Sequence, residues 1–231
     1  MDRAVGMDVL SCDGWLRSTP VEFRNALLAR CRWECLEVGT QIQLGGEENG
    51  ELIGLAGGII ELRTVLGSAD TPIMHFVHPV VWFGYGPIAF GRPRVAAANT
   101  RSPVWVARAS HGSVRGLLDK RPEWWRHFLQ PAATNGDIAL SIAADLLIRD
   151  SERRCAAVLL RLSGHRFIGP NDREPVDVPI TQDELADATN LSRSSVRSIL
   201  HRLVARKLIE QGYRGIVVRA PAALRAFIDQ G

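Results

Sequence analysis

The sequence predicts an α+β fold with three parts. These are an N-terminal jelly roll (double-stranded β-helix) of short strands, one long apolar helix, and a small C-terminal helical unit closed by a β-hairpin. Three observations carry this. From Cys31 to about residue 110 the chain is a series of short apolar runs broken by glycines. Between Ile138 and Ile148 the only charge is Asp145, in a stretch rich in Ile, Leu and Ala. After residue 150 come helix-capping residues, helical apolar spacing and two short β runs that bracket Gly212 and Gly215. The implied domains are residues 1–130, 131–150 and 151–231.

The elements follow in order. PVEFRNALLAR, residues 20–30, places Phe23, Leu27 and Leu28 at helical spacing. At Cys31 the period becomes two: Cys31, Trp33 and Cys35 alternate with Arg32 and Glu34, as on a half-buried strand. The runs QIQL, ELIGLAGGIIELRTVL, PIMHFVHPVVWF, RVAAANT and PVWVARA follow, with Gly39, Gly45, Gly46, Gly50, Gly57, Gly58 and Gly67 at turns. Many short strands at near-even spacing suit a sandwich or jelly roll. Helices then take over. In PEWWRHFL, Trp124, Trp125, Phe128 and Leu129 form two helical pairs that pack on the roll.

The helix expected over 132–149 is apolar around most of its circumference, so it is buried on more than one side. One side suits its own β domain. The other, with Ile138, Ile142 and Leu146, suits the same helix of a second subunit. Asp150 and Ser151 are N-cap candidates for the next helix, RRCAAVLLRLSG, and residue 150 is the expected hinge.

Thr181 followed three residues later by Glu184 is a capping box, which starts a helix running to about residue 188. Asn190 tolerates the left-handed backbone of a short turn, and Ser192 is a good N-cap for a second helix. In that helix Val196, Ile199, Leu200 and Leu203 form the buried stripe, while Arg193, Arg197 and His201 lie four apart on the outer face beside Ser194 and Ser198. Gly212 and Gly215 then bracket a tight turn with Tyr213 and Arg214 at its tip. This is a helix-turn-helix with a wing. An α-helix fits the DNA major groove, and an arginine fork matches guanine O6 and N7. Arg193 at a helix N-terminus opposes the dipole, and a phosphate or guanine supplies a reason for it. The alternative is a winged helix used only for protein contacts.

Charge agrees with a nucleic-acid partner. The net charge is +3, but residues 193–225 hold eight basic residues against one acidic residue, Glu210. A solvated helix face is the plainer explanation of that block. No run of about 18 apolar residues is present, and MDRAVGMDVLSCDGW does not resemble a secretory signal, so a cytoplasmic protein without a membrane span is expected. Cys12, Cys31, Cys35 and Cys155 show no CxxC spacing. Cys31 and Cys35, four apart on a strand, sit roughly 13 Å apart, too far for a disulfide, and are expected in the core with Cys155. His75 and His78, three apart, point to opposite faces and do not share a metal. No HxH pair suits a jelly-roll enzyme, so neither metal nor catalytic residues are assigned.

ITQDELADATNLSRSSVRSILHRLVARKLI resembles the DNA-binding signature of the cyclic-AMP receptor protein/fumarate-nitrate regulator (Crp/Fnr) superfamily, and the resemblance extends over the roll, long helix, hinge aspartate and wing. It implies a homodimer that binds palindromic double-stranded DNA, controls transcription initiation by RNA polymerase and senses a signal at its roll. It implies DNA contacts by Arg193 and Thr181; the outward residues Ser192, Ser194, Arg197, Ser198 and His201 and the wing's Arg214 complete the candidate contacts. Ser194 and Ser198 replace family readers, so a different operator is expected.

The resemblance also locates an effector site, and there the sequence departs. In WFGYGPIAFGRPRVAAA the phosphate-binding arginine is kept as Arg94. Gly84, or Tyr85 in the neighbouring register, stands where a ribose-binding glutamate belongs; Val95 replaces a serine, and Ala139-Leu140 replaces a Thr-Ser pair. Cyclic AMP is therefore not expected, and no cofactor is assigned. Arg94, Tyr85 and Trp82 remain effector candidates, although Trp82 and Trp105 read first as core and only second as the lining of an apolar pocket. The competing readings are a constitutive DNA binder with a degenerate roll, and a metal- or haem-binding jelly roll.

Overall fold

The computed structural model describes residues 2–48, 50–64, 72–166, 175–212 and 215–230. The chain forms two compact units, Met1–Thr71 with Val77–Gly136, and Pro72–Phe76 with Asp137–Gly231. The division falls inside the long helix.

The first unit begins with three helices, α1 (Arg3–Cys12), α2 (Gly14–Arg17) and α3 (Val21–Leu28). Only α3 is anticipated by periodicity. Leu10 of α1 and Leu16 of α2 are nonetheless fully buried, in one cluster with Phe23 and Leu27. The strands are β1 (Arg32–Leu36), β2 (Gln41–Gln43), β3 (Leu52–Gly57), β4 (Ile60–Thr64), β5 (Ile73–Val77, of which Ile73–Phe76 count with the second unit), β6 (Trp82–Phe83), β7 (Ala96–Thr100) and β8 (Val104–Ala109). They form two four-stranded sheets, ordered β1-β8-β3-β6 and β2-β7-β4-β5, as expected of a jelly roll.

The β3 run is continuously apolar because both faces are covered. Ile53 and Leu55 join Ile42, Ile60, Phe83, Ala98, Val104 and Val106 in the roll interior. Leu52 and Ala56 join the cluster under the helices. Gly54 sits against Trp82, whose ring lies 2.7 Å from where a Cβ would stand. At β1 the helical cover reaches Trp33, and Cys31 just before the strand, but not Cys35. Cys35 is exposed, so its assignment to the core is corrected. Helix α4 (Tyr85–Phe90) interrupts the strands between Gly84 and Gly91, both left-handed. After β8 come α5 (His111–Lys120) and α6 (Trp125–Phe128), with Trp124 and Phe128 in the helix-side core as expected.

The long helix α7 (Gln130–Leu147) is followed by α8 (Ser151–Leu162), β9 (Val176–Val178), α9 (Gln182–Thr189), α10 (Arg193–Ala205), β10 (Ile209–Gln211), β11 (Ile216–Val218) and α11 (Pro221–Asp229). Asp150 caps α8 by accepting from the Arg153 amide at 2.8 Å. In the second unit α8 is buried from Cys155 to Leu162 without interruption, packed by α9, α10 and α11. One side chain of α7 is equally buried: Asp145, fully enclosed, pairs with Arg161 of α8 at 2.8 Å and with Arg166 at 3.1 Å. The β10-β11 hairpin closes with the Gly212 amide donating to the Gly215 carbonyl at 2.9 Å. The third strand β9 pairs with β11, Ile216 opposite Val178, an addition not visible in its three-residue sequence.

Candidate nucleic-acid interface

Local chemistry builds the site as the caps require. The Thr181 hydroxyl accepts from the Glu184 amide at 3.2 Å, and the Glu184 carboxylate accepts from the Thr181 amide at 2.9 Å. Asn190 ends α9 in the left-handed region, at φ 52° and ψ 51°. Ser192 then caps α10, accepting from the Ser195 amide at 3.1 Å. Val196, Ile199, Leu200 and Leu203 are buried. Arg193, Ser194, Arg197, Ser198 and His201 are exposed, so the division of the helix into an inner and an outer face is as the spacing implies. The outer face presents two guanidinium groups, an imidazole and two hydroxyls over about two helical turns.

The cations of this region fall into two groups. Arg202 and Arg206 both reach Glu152, at 2.7 and 3.6 Å, and Arg206 also covers the Phe227 ring. Arg219 pairs with Glu210 at 2.5 Å, and Arg225 donates to the His165 carbonyl at 2.6 Å. These are structural cations. Arg197, His201 and Lys207 are exposed and meet no carboxylate among the described residues. Arg193 is intermediate: it lies 3.0 Å from Asp183, a partner that no spacing in the sequence announces. Thr181 and Ser192 spend their hydroxyls on caps, and Thr181 also donates to Glu184. Arg214, the expected wing contact, lies outside the described residues.

Residues 153–227 match the model of the Crp-like helix-turn-helix domain. The chain carries a Crp-like domain on a Crp/Fnr-type fold. FixK2 from Bradyrhizobium japonicum is similar over 87% of this chain and 98% of its own, at 17% identity and a TM-score of 0.69. A CRP/FNR-family transcriptional regulator from Thermus thermophilus is similar over 86% and 99%, at 21% identity and a TM-score of 0.66. The regulator CLP of Xanthomonas campestris, described as c-di-GMP responsive, covers 87% and 100%, at 15% identity and a TM-score of 0.66. At such identities these likenesses establish the fold. A search of curated sequences gives no match.

On the roll of this Crp/Fnr-type fold the effector candidates part company. Arg94 is buried, and its guanidinium donates to the Gln43 amide oxygen and, at 2.7 Å, to the Glu51 carbonyl. Glu47 stands 3.4 Å from Arg94 Nε. Burial holds the Arg94 pKa below its ordinary value, with Glu47 and Glu51 opposing that shift. Trp82 is core, edge-on to Trp15 at 5.7 Å. Tyr85 opens α4, half-buried against the same cluster. The three candidates are thus a buried cation whose two Nη groups are engaged while its Nε lacks a hydrogen bond, a packed indole and a packed phenol. No group of three His, Cys, Asp or Glu suited to a metal occurs among the described residues. Burial pushes the Cys31 and Cys155 thiols up to about 12. No helix among the described residues is long and apolar enough to cross a membrane.

On α7, Ile138 and Ile142 are half-buried within the chain and Leu146 is 41% exposed. The apolar groups left most open are different ones: Leu140 at 72% and Leu147 at 79%. Ala133, Gly136 and Ala143 share their face at heptad spacing and are also exposed. The open row differs from the one read off the sequence because a helix apolar on every side gives no phase.

Proposed function

We propose that this chain is a homodimeric, sequence-specific regulator that binds a palindromic operator in double-stranded DNA and controls transcription by RNA polymerase. The observation that carries the reading is the outer face of α10, where Arg197 and His201 stand exposed beside Ser194 and Ser198 and meet no carboxylate among the described residues. Arg193 and Arg197 read guanine edges; Thr181, Ser192, Ser194, Ser198, His201 and Arg214 contact phosphates or neighbouring bases. Leu140 and Leu147, seven residues apart and open, support pairing of α7 with its copy. Two recognition helices about 34 Å apart enter successive major grooves, and the angle at Asp150 sets that spacing. The reading is of a binding protein, not an enzyme.

Cyclic AMP is not the signal we assign. In a phosphate site Arg94 must face the ligand; here Gln43, Glu47 and the Glu51 carbonyl occupy it. The same observation favours a second reading, constitutive DNA binding with a roll that serves only structure. Selection of bound duplexes from a random pool, with and without a metabolite extract, tests both. A palindromic motif whose enrichment is independent of the extract supports constitutive binding, and a dependent one supports control by a signal at the roll other than cyclic AMP. Arg193→Ala and Arg197→Ala should each weaken binding to the selected duplex by about 5- to 150-fold at an unchanged melting temperature. Full-strength binding by both variants rejects the assignment.

A further inference from the structure

Arg193 and Arg197 stand one helical turn apart on the same face, yet their surroundings differ. Arg193 is the first residue of α10, where the helix dipole disfavours a cation. Asp183 is the second residue of α9, where the dipole favours an anion. The turn at Asn190 brings these two helix starts together, and Asp183 Oδ1 lies 3.0 Å from Arg193 Nε. Both side chains are more than half exposed, at 77% and 56%, so the pair adds little to stability. No described acceptor engages the two Nη groups of Arg193, which remain free to donate. Arg197 has no such anchor.

We propose that Asp183 is a positioning residue for base recognition. It fixes the Nε edge of Arg193 and so presents the two Nη groups as an oriented fork, while Arg197 stays adaptable. Long arginine side chains lose rotamer freedom on binding, and an anchored one has lost it beforehand. Asp183 has a second effect. A carboxylate beside the DNA-facing helix start is repelled by every phosphate backbone, whatever the sequence. It therefore lowers non-specific affinity and, through Arg193, protects specific affinity.

This inference rests on the DNA-binding reading, and the experiment separates the two. Wild type, Asp183→Asn, Arg193→Ala and the double variant are each selected against a random duplex pool and titrated on a selected and a scrambled duplex. For Asp183→Asn we expect about a three- to tenfold loss of discrimination at the base pair that Arg193→Ala also de-specifies. We also expect severalfold tighter binding to the scrambled duplex, and no added loss of discrimination from Asp183→Asn once Arg193 is alanine. Asp183→Glu should retain most of the discrimination. Unchanged discrimination in Asp183→Asn, or an equal loss in the Arg193→Ala background, overturns the role of Asp183. A wild type that enriches no motif overturns the DNA-binding reading itself.

Discussion

Asn190 and Gly50 show how much one residue decides here. Asn190 is held at φ 52°, a conformation that asparagine tolerates and branched residues do not. Asn190→Gly should keep the urea midpoint, whereas Asn190→Val should cost about 1–2 kcal/mol. Gly50 has another cause. Any Cβ there would overlap the Arg94 guanidinium, and all three nearest atoms belong to Arg94. Gly84 is doubly fixed, by its φ of 89° and by the Glu51 carbonyl against its missing Cβ. Gly50→Ala should therefore destabilise the native chain but be nearly neutral beside Arg94→Ala, while Gly84→Ala should destabilise both backgrounds; thermal melting checks this. Capping and turn residues such as Thr181, Asn190 and Ser192 were legible because they act on neighbours three or fewer residues away. The inward turn of Arg94 was not. It depends on Gln43, Glu47 and Glu51, more than forty residues back, and nothing local announces it.

Among the elements, α7 and α8 are held by the Asp145 carboxylate, enclosed with Arg161 and shared with Arg166. The Arg161 guanidinium also donates to the Met74 carbonyl, inside the same unit. Burial depresses the Arg161 pKa, against the pull of Asp145. Removing one partner strands a buried charge. Asp145→Ala should thus lower unfolding free energy by about 3–5 kcal/mol, and Asp145→Leu with Arg161→Met should restore much of it. Chemical denaturation of the three proteins provides the comparison. Period revealed α3 and the buried stripe of α10, the Thr181–Glu184 capping box revealed α9, and continuous apolar composition revealed α7. Helices α1, α2 and α11 were missed, although Leu224 and Ile228 of α11 are a buried pair at helical spacing that the test of period would have found. The sequence shows Asp145 as an isolated charge and Arg161 as one basic residue among several, but not their meeting across the Asp150 bend.

For the whole molecule, the proposed pairing of α7 with its copy rests on the open row of Leu140 and Leu147. Leu140→Glu should convert the proposed dimer to a monomer in sedimentation at micromolar concentration, with helix content retained and operator affinity reduced by at least tenfold. The full architecture was legible in outline, roll then helix then winged unit, since each part has its own periodicity. The boundary between compact units was less so, because α7 runs through it unbroken. Those two leucines also bear on dosage. In the proposed dimer, where that face is completed by its copy, the DNA-binding species is second order in the chain. While protomers outnumber pairs, halving expression would leave about a quarter of the pairs, so the regulated promoter would respond to protein level far more steeply than one-to-one binding permits.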